Sequence, residues 1–160
     1  MLQNYQEIIA LQQMGNINIS PFDLDLVNTA SYDITLGSNF IRNGYNQDVV
    51  GSIFLYPGEF LLAHTEEKVT LDRTVAAQLD GKSTLARQGL VVHLTAGWID
   101  PGFSGQITLE IKNLTESYLQ LTVGQRIGQL KFFRINPTAM DYTEQPNAKY
   151  NNSVGVVLPK

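Results

Sequence analysis

Ile107-Thr108-Leu109-Glu110-Ile111-Lys112 alternates apolar and polar side chains without a break. A period of two puts Ile107, Leu109 and Ile111 on one face of a strand and Thr108, Glu110 and Lys112 on the other. Downstream, residues 118–123 and 127–135 read as two further strands, parted by Gly124-Gln125-Arg126. Upstream, residues 90–95 are apolar almost throughout, as a buried strand would be, and 75–79 and 59–65 are two more runs. Tyr32, Ile34 and Leu36 alternate with Asp33 and Thr35. Many short strands punctuated by Gly, Asn and Pro predict a mainly β fold, an antiparallel sandwich or distorted barrel. One helix is predicted, over residues 4–14. Asn4 caps it, Glu7 follows three residues on, Ile8, Ile9, Leu11 and Met14 are its apolar positions, and Gly15 ends it.

The length of 160 residues predicts one domain with its own core. Residues 136–160 are polar and irregular, hold Pro137, Pro146 and Pro159, and are too few to fold alone. Only 16% of residues are charged and the net charge is −4, which argues against a nucleic-acid-binding surface. No apolar run approaches the roughly 18 residues of a membrane span. The first residues lack a basic stretch followed by an apolar one, so no signal peptide is expected and the expected location is cytoplasmic. The absence of cysteine fits a reducing compartment and is compatible with any other.

Three segments carry chemistry. In Gly81-Lys82-Ser83-Thr84-Leu85-Ala86-Arg87-Gln88-Gly89, a strand ends, a Gly turns the chain and Ser83 to Arg87 can form one helical turn. Free backbone N–H groups there, with Lys82, two hydroxyls and Arg87, suit an anion. An ordinary capped turn with two solvated cations fits the same letters. It is not a Walker loop, because Lys precedes Ser and the Gly spacing differs. In Gly97-Trp98-Ile99-Asp100-Pro101-Gly102-Phe103, Asp100 reads either as an Asx-turn residue bonded to backbone N–H groups or as a carboxylate that holds a sugar hydroxyl or activates water. Trp98 and Phe103 are packing residues, or aromatics that stack on a sugar or base. Glu110 reads as a solvent-facing residue paired to Lys112. Covered by another subunit, it becomes a desolvated carboxylate of raised pKa, able to shuttle a proton near neutral pH. His93, in an apolar run, and His64 read more often as satisfied core histidines, and the two lack metal-ligand spacing.

Further stretches join these: Ala30-Ser31-Tyr32-Asp33-Ile34-Thr35-Leu36-Gly37, Tyr56-Pro57-Gly58-Glu59, His93-Leu94-Thr95-Ala96, Arg126-Ile127-Gly128-Gln129-Leu130 and Ala148-Lys149-Tyr150. With Lys82 to Arg87, Ile99 to Phe103 and Leu109-Glu110 they resemble, in order and over most of the chain, the deoxycytidine triphosphate (dCTP) deaminase family of the trimeric dUTPase superfamily. The resemblance implies a distorted antiparallel β-barrel or jelly roll of the dUTPase-like type with a short N-terminal helix. It implies a single nucleotide-processing domain over residues 1–160, with 136–160 closing over the nucleotide. It also implies a homotrimer with active sites between subunits.

The same resemblance gives Glu110 the proton-shuttle role in deamination. It gives Ser83 and Arg87 the positioning of water and triphosphate, and Asp100 the deoxyribose 3′-hydroxyl. Lys82, Thr84, Leu85 and Ala86 complete the phosphate loop, Thr108 and Leu109 flank Glu110, and Gln129, Tyr142, Lys149 and Ser153 complete the nucleotide contacts. Magnesium is implied as a passenger on the triphosphate with no direct protein ligand. No zinc is implied, in keeping with the absence of cysteine and of the zinc deaminase signature. The implied ligands are dCTP and dUTP, with dTTP as an inhibitor.

Gly97 follows Ala96 where the branch stopping at dUTP tends to have His, so this stretch looks like the branch that continues to dUMP and pyrophosphate. An empty position 97 leaves room for a second water near the α-phosphate, activated by Asp100. Gln129 resembles the same branch. The alternatives are a deaminase releasing dUTP, a dUTPase without deamination, and a non-catalytic nucleotide sensor. Two positions depart from the family: Lys82 stands for Arg, without the planar fork that grips phosphate in two places, and Ser153 stands for Gln.

Overall fold

The computed structural model describes residues 1–137 and 140–160. Helix α1 (Tyr5–Met14) starts where the sequence predicts. The Asn4 side chain accepts the Glu7 N–H at 3.1 Å, and the Glu7 carboxylate accepts the Asn4 N–H at 2.8 Å. Gly15 ends it in the left-handed conformation, φ 77°. Ile8 and Leu11 are buried, whereas Met14, expected among the apolar positions, is exposed.

The strands are β1 (Ile17–Ser20), β2 (Tyr32–Thr35), β3 (Asn39–Arg42), β4 (Tyr45–Asp48), β5 (Ser52–Leu55), β6 (Phe60–Leu71), β7 (Val75–Gly81), β8 (Leu90–Val91), β9 (Trp98–Ile99), β10 (Ser104–Asn113), β11 (Leu119–Thr122) and β12 (Arg126–Arg134); α2 (Ser83–Arg87) lies between β7 and β8. One sheet runs β4-β3-β6-β10-β8, with β1 also on β6. A second runs β2-β12-β7-β9, and β11 pairs with β5. All these pairings are antiparallel. The sheets close on a core to which β10 gives Ile107, Leu109 and Ile111, β6 gives Leu61, Ala63 and Val69, and β12 gives Leu130 and Phe132. This is the mainly β architecture expected, and β10 alternates half-buried and buried over its whole length.

Three expectations change. Residues 90–95 are not a buried strand: β8 ends at Val91, Leu94 is exposed and Thr95 adopts φ 66°. The backbone leaves the sheet because the Leu94 N–H bonds the Glu110 carboxylate instead of a neighbouring strand. Asp33 does not face water on alternate register; it is 1% exposed. Strands β1, β3, β4, β5 and β9 were not anticipated. The β3–β4 hairpin turns at Asn43 (φ 51°) and Gly44 (φ 83°), both left-handed, a two-residue turn that Asn-Gly favours.

The last segment is fastened rather than folded. Asp141 caps a 3-10 turn, Tyr142–Glu144, and the Tyr142 N–H donates to the Pro101 carbonyl at 2.7 Å. Arg73 pairs with Asp141 at 3.0 Å and Glu144 at 2.7 Å. Further on, the chain runs along β10. Asn152 N–H bonds the Ser104 carbonyl at 2.6 Å, and Gln106 N–H bonds the Ser153 carbonyl at 2.9 Å.

Candidate active site

The outward faces of β10 and of the β9 turn meet the tail around a cavity of about 560 Å³. Glu110 and Thr108 come from β10, Ala96, Trp98 and Asp100 from the segment leading into the turn. Tyr142, Tyr150, Ser153, Val157 and Pro159 come from the tail, and Phe60 and Leu62 form an apolar end on β6. Alternation delivers Glu110 here: its neighbours Leu109 and Ile111 are wholly buried, and across the ladder it faces Leu62.

Glu110 is not paired with Lys112, whose ammonium turns to the Gly58 carbonyl. Instead, Glu110 Oε2 accepts the Leu94 N–H at 3.0 Å. Among the described residues, the Asp100 side chain bonds no backbone N–H group as an Asx-turn would. Its backbone carbonyl closes the turn with the Phe103 N–H at 3.2 Å, and its Oδ1 accepts the Trp98 indole N–H at 3.0 Å.

The other predicted residues divide. Thr108 Oγ1 accepts the Val157 N–H at 3.1 Å, and Ser153 Oγ donates to the Gln106 carbonyl at 2.7 Å, so both hold the tail. The Tyr142 hydroxyl accepts the Tyr150 N–H at 3.0 Å, and its ring meets Phe103 edge-on. Leu109 points into the core, and Lys149 reaches the Lys160 carbonyl at 2.7 Å. Residues 82–87, expected to hold phosphate, do not line this cavity. Ser83, Thr84, Ala86 and Arg87 are exposed on α2, with Leu85 packed against the core. The Lys82 ammonium bonds the buried carboxylate of Asp33, which also accepts from Asn28 at 2.9 Å and lies 3.5 Å from Arg126. Gln129 accepts from the Ser31 hydroxyl at 2.9 Å and donates to the Gly81 carbonyl at 3.3 Å, bracing the start of that loop. Asp33 was not foreseen as this countercharge; one acid inside an apolar alternation was the available signal.

Gly97 does not open onto the cavity. It is buried, and a Cβ there would lie 2.5 Å from the Leu79 carbonyl oxygen and 3.2 Å from His93 Cε1. The space argument for a second water therefore fails at this residue: the glycine is required by the close approach of two backbones, where the Leu79 N–H meets the Gly97 carbonyl at 2.7 Å. His64 is a satisfied core histidine; its Nε2 accepts the Asn39 N–H at 3.2 Å, so Nδ1 carries the proton to the Thr65 carbonyl at 2.8 Å. His93 departs from that pattern, since its buried Nδ1 has no partner among the described residues.

The hard oxygen donors on the cavity wall include the carboxylates of Asp100 and Glu110, and no group of three or more potential metal ligands occurs among the described residues. That donor set suits magnesium carried in by phosphate oxygens better than a cage built by the protein.

A family model described as dCTP deaminase-like matches residues 46–135. The chain is 36% identical to the "dCTP deaminase, dUMP-forming" of Nanoarchaeum equitans, over 94% of this chain and 92% of that protein. It is 39% identical to the protein of the same description from Methanoculleus marisnigri, over 91% and 87%. Among solved structures, the 2′-deoxycytidine 5′-triphosphate deaminase of Agrobacterium tumefaciens is similar with a TM-score of 0.73 at 22% identity, over 84% of this chain and 48% of that longer one. The dUTPase of Staphylococcus bacteriophage 80alpha gives 0.56 at 17%, over 79% and 94%. At those identities the two structures speak for the fold.

Proposed function

This chain belongs to the dCTP deaminase-like family, and from that premise we propose that it converts dCTP to dUMP, releasing ammonia and pyrophosphate, and also cleaves dUTP. The observation that carries the reading is the meeting of Glu110 and Asp100 on one cavity, two carboxylates in different surroundings. Relatives named for the dUMP-forming reaction, at 35–39% identity, support the second step.

Water adds to C4 of the cytosine. Glu110 takes its proton and delivers protons to the ring nitrogen and the departing amine, so that dCTP and water become dUTP and ammonia. One Glu110 oxygen is held by the Leu94 N–H, leaving the other for this transfer. Asp100 binds the 3′-hydroxyl and activates the water that attacks the α-phosphorus, giving dUMP and pyrophosphate. Magnesium, bound through the triphosphate, offsets its negative charge.

Ser83 and Arg87 serve the water and the phosphates of a neighbouring subunit. Their exposure away from their own chain's cavity supports a homotrimer with sites at the subunit boundaries. The tail, with Tyr142 and Ser153, closes the site, and dTTP competes for it. No helix among the described residues is long and apolar enough to cross a membrane; we place the enzyme in the cytoplasm with its nucleotides.

The test incubates the protein with dCTP and magnesium and resolves dUTP, dUMP, ammonia and pyrophosphate. Ammonia, dUMP and pyrophosphate in equal amounts are expected. Accumulation of dUTP without pyrophosphate would overturn the second step, and absence of ammonia the first.

A further inference from the structure

We propose that Trp98 is a positioning residue for Asp100, holding one oxygen of its carboxylate so that the other is presented to the reacting water and sugar. The inference rests on the part in pyrophosphate release given to Asp100 above.

The geometry is local and complete. Trp98 Nε1 donates to Asp100 Oδ1 at 3.0 Å, and both residues line the cavity. Among the described residues Asp100 Oδ2 carries no hydrogen bond, so the single partner fixes which oxygen remains available. An indole N–H is a donor only. It can orient a carboxylate but cannot accept a proton from water, so Asp100 stays the sole base of the pair. A partner that both donated and accepted would not impose that order.

The indole is itself fixed from behind. Trp98 belongs to β9, where it pairs with Gln78 of β7, and its ring lies 6.0 Å from that of Phe133 at 35°. Phe133 sits on β12, paired to Ala76 of the same β7. The β12–β7–β9 sheet thus carries an aromatic pair whose polar edge meets Asp100. Trp98 remains 57% exposed, so core packing is not its main occupation.

The experiment uses dUTP, which bypasses the step at Glu110, and follows pyrophosphate release by Trp98→Phe, Asp100→Asn and the double variant. Phe keeps an aromatic ring at this position of β9 and removes the donor, along with part of the indole's bulk. Loss of a hydrogen bond to a charged group predicts a fall in kcat of about tenfold or more, with a much smaller change in KM and an unchanged melting temperature. The double variant is expected to be no slower than Asp100→Asn alone, because the indole acts through that carboxylate. Wild-type rates in Trp98→Phe beside an impaired Asp100→Asn would overturn the inference and leave the reading of Asp100 standing. Additive losses in the double variant, or a lowered melting temperature with every activity reduced in proportion, would also overturn it. Wild-type cleavage by Asp100→Asn would overturn both.

Discussion

Glu110 Oε2 accepts the backbone N–H of Leu94 at 3.0 Å, so a carboxylate that faces the cavity also anchors the loop that brings Ala96 to it. Glutamine at 110 keeps an oxygen for that N–H but has no titrating group. The Glu110→Gln variant is therefore expected to fold with an unchanged melting temperature and to bind dCTP. Ammonia release should fall by about a hundredfold or more, the usual scale of acid–base assistance, while pyrophosphate release from dUTP persists. Ammonia release at the wild-type rate would remove Glu110 from the mechanism.

Gly97 predicts a loss without selectivity. A methyl group there meets the Leu79 carbonyl at 2.5 Å, on a backbone that cannot retreat without breaking the Leu79–Gly97 hydrogen bond. Gly97→Ala should cost about 1–3 kcal/mol by overpacking, read as an earlier urea midpoint. Ammonia and pyrophosphate release should fall together. Selective loss of pyrophosphate release at unchanged stability would restore the idea that this position makes room for a water.

The parts of the molecule that were legible in its sequence are those set by near neighbours. Asn4 and Glu7 cap α1 across three residues, and the alternation of β10 survives because one of its faces meets the core along the whole strand. The four-residue β3, β4 and β5 lack room for a period to show, although Asn43-Gly44 marks the β3–β4 hairpin. In the candidate site, the placement of Asp100 in a turn and of Glu110 on the outward face of a strand was readable from near neighbours. The attachments of Lys82 to Asp33, 49 residues away, and of the tail to Gln106 were not, because they depend on which strands the closing fold brings side by side.

Glu67 gives a pH dependence of unusual sign. It is 1% exposed, and its carboxylate accepts the Thr35 N–H at 3.0 Å and the Thr35 hydroxyl at 2.8 Å, with no cation paired to it among the described residues. Burial is the largest influence and pushes its pKa above the ordinary carboxylate range, against the hydrogen bonds from Thr35. The folded state thus holds this proton more tightly than the unfolded chain. Its contribution to stability is fully present below the unfolded pKa and is lost as pH rises through the folded one. Glu67→Gln removes that titration, so the variant should gain stability relative to wild type as urea midpoints are compared from about pH 4 to pH 8. Parallel profiles would show that the carboxylate's proton affinity is the same folded and unfolded.

Gln106 predicts how firmly the tail is held. Its side-chain oxygen accepts the Gly155 N–H at 2.7 Å, and its amide donates to the Glu66 carbonyl at 2.9 Å, so one residue ties the tail to both β10 and β6. Its backbone bonds to Ser153 do not depend on the side chain. Gln106→Ala should therefore loosen residues 155–157 without releasing the whole tail. Hydrogen exchange at Gly155 should quicken by about tenfold, the worth of one hydrogen bond, while global stability changes little. Val157 and Pro159 line the cavity beside Thr108, so a looser tail covers bound nucleotide less of the time. The expected kinetic result is a raised KM for dCTP and for dUTP by the same factor, with kcat nearly kept, because neither carboxylate is touched. Unchanged exchange at Gly155 would show that the bonds at Ser153, Val156 and Val157 fix the tail without the Gln106 side chain, and an unchanged KM with quickened exchange would show that the tail is not what retains the nucleotide.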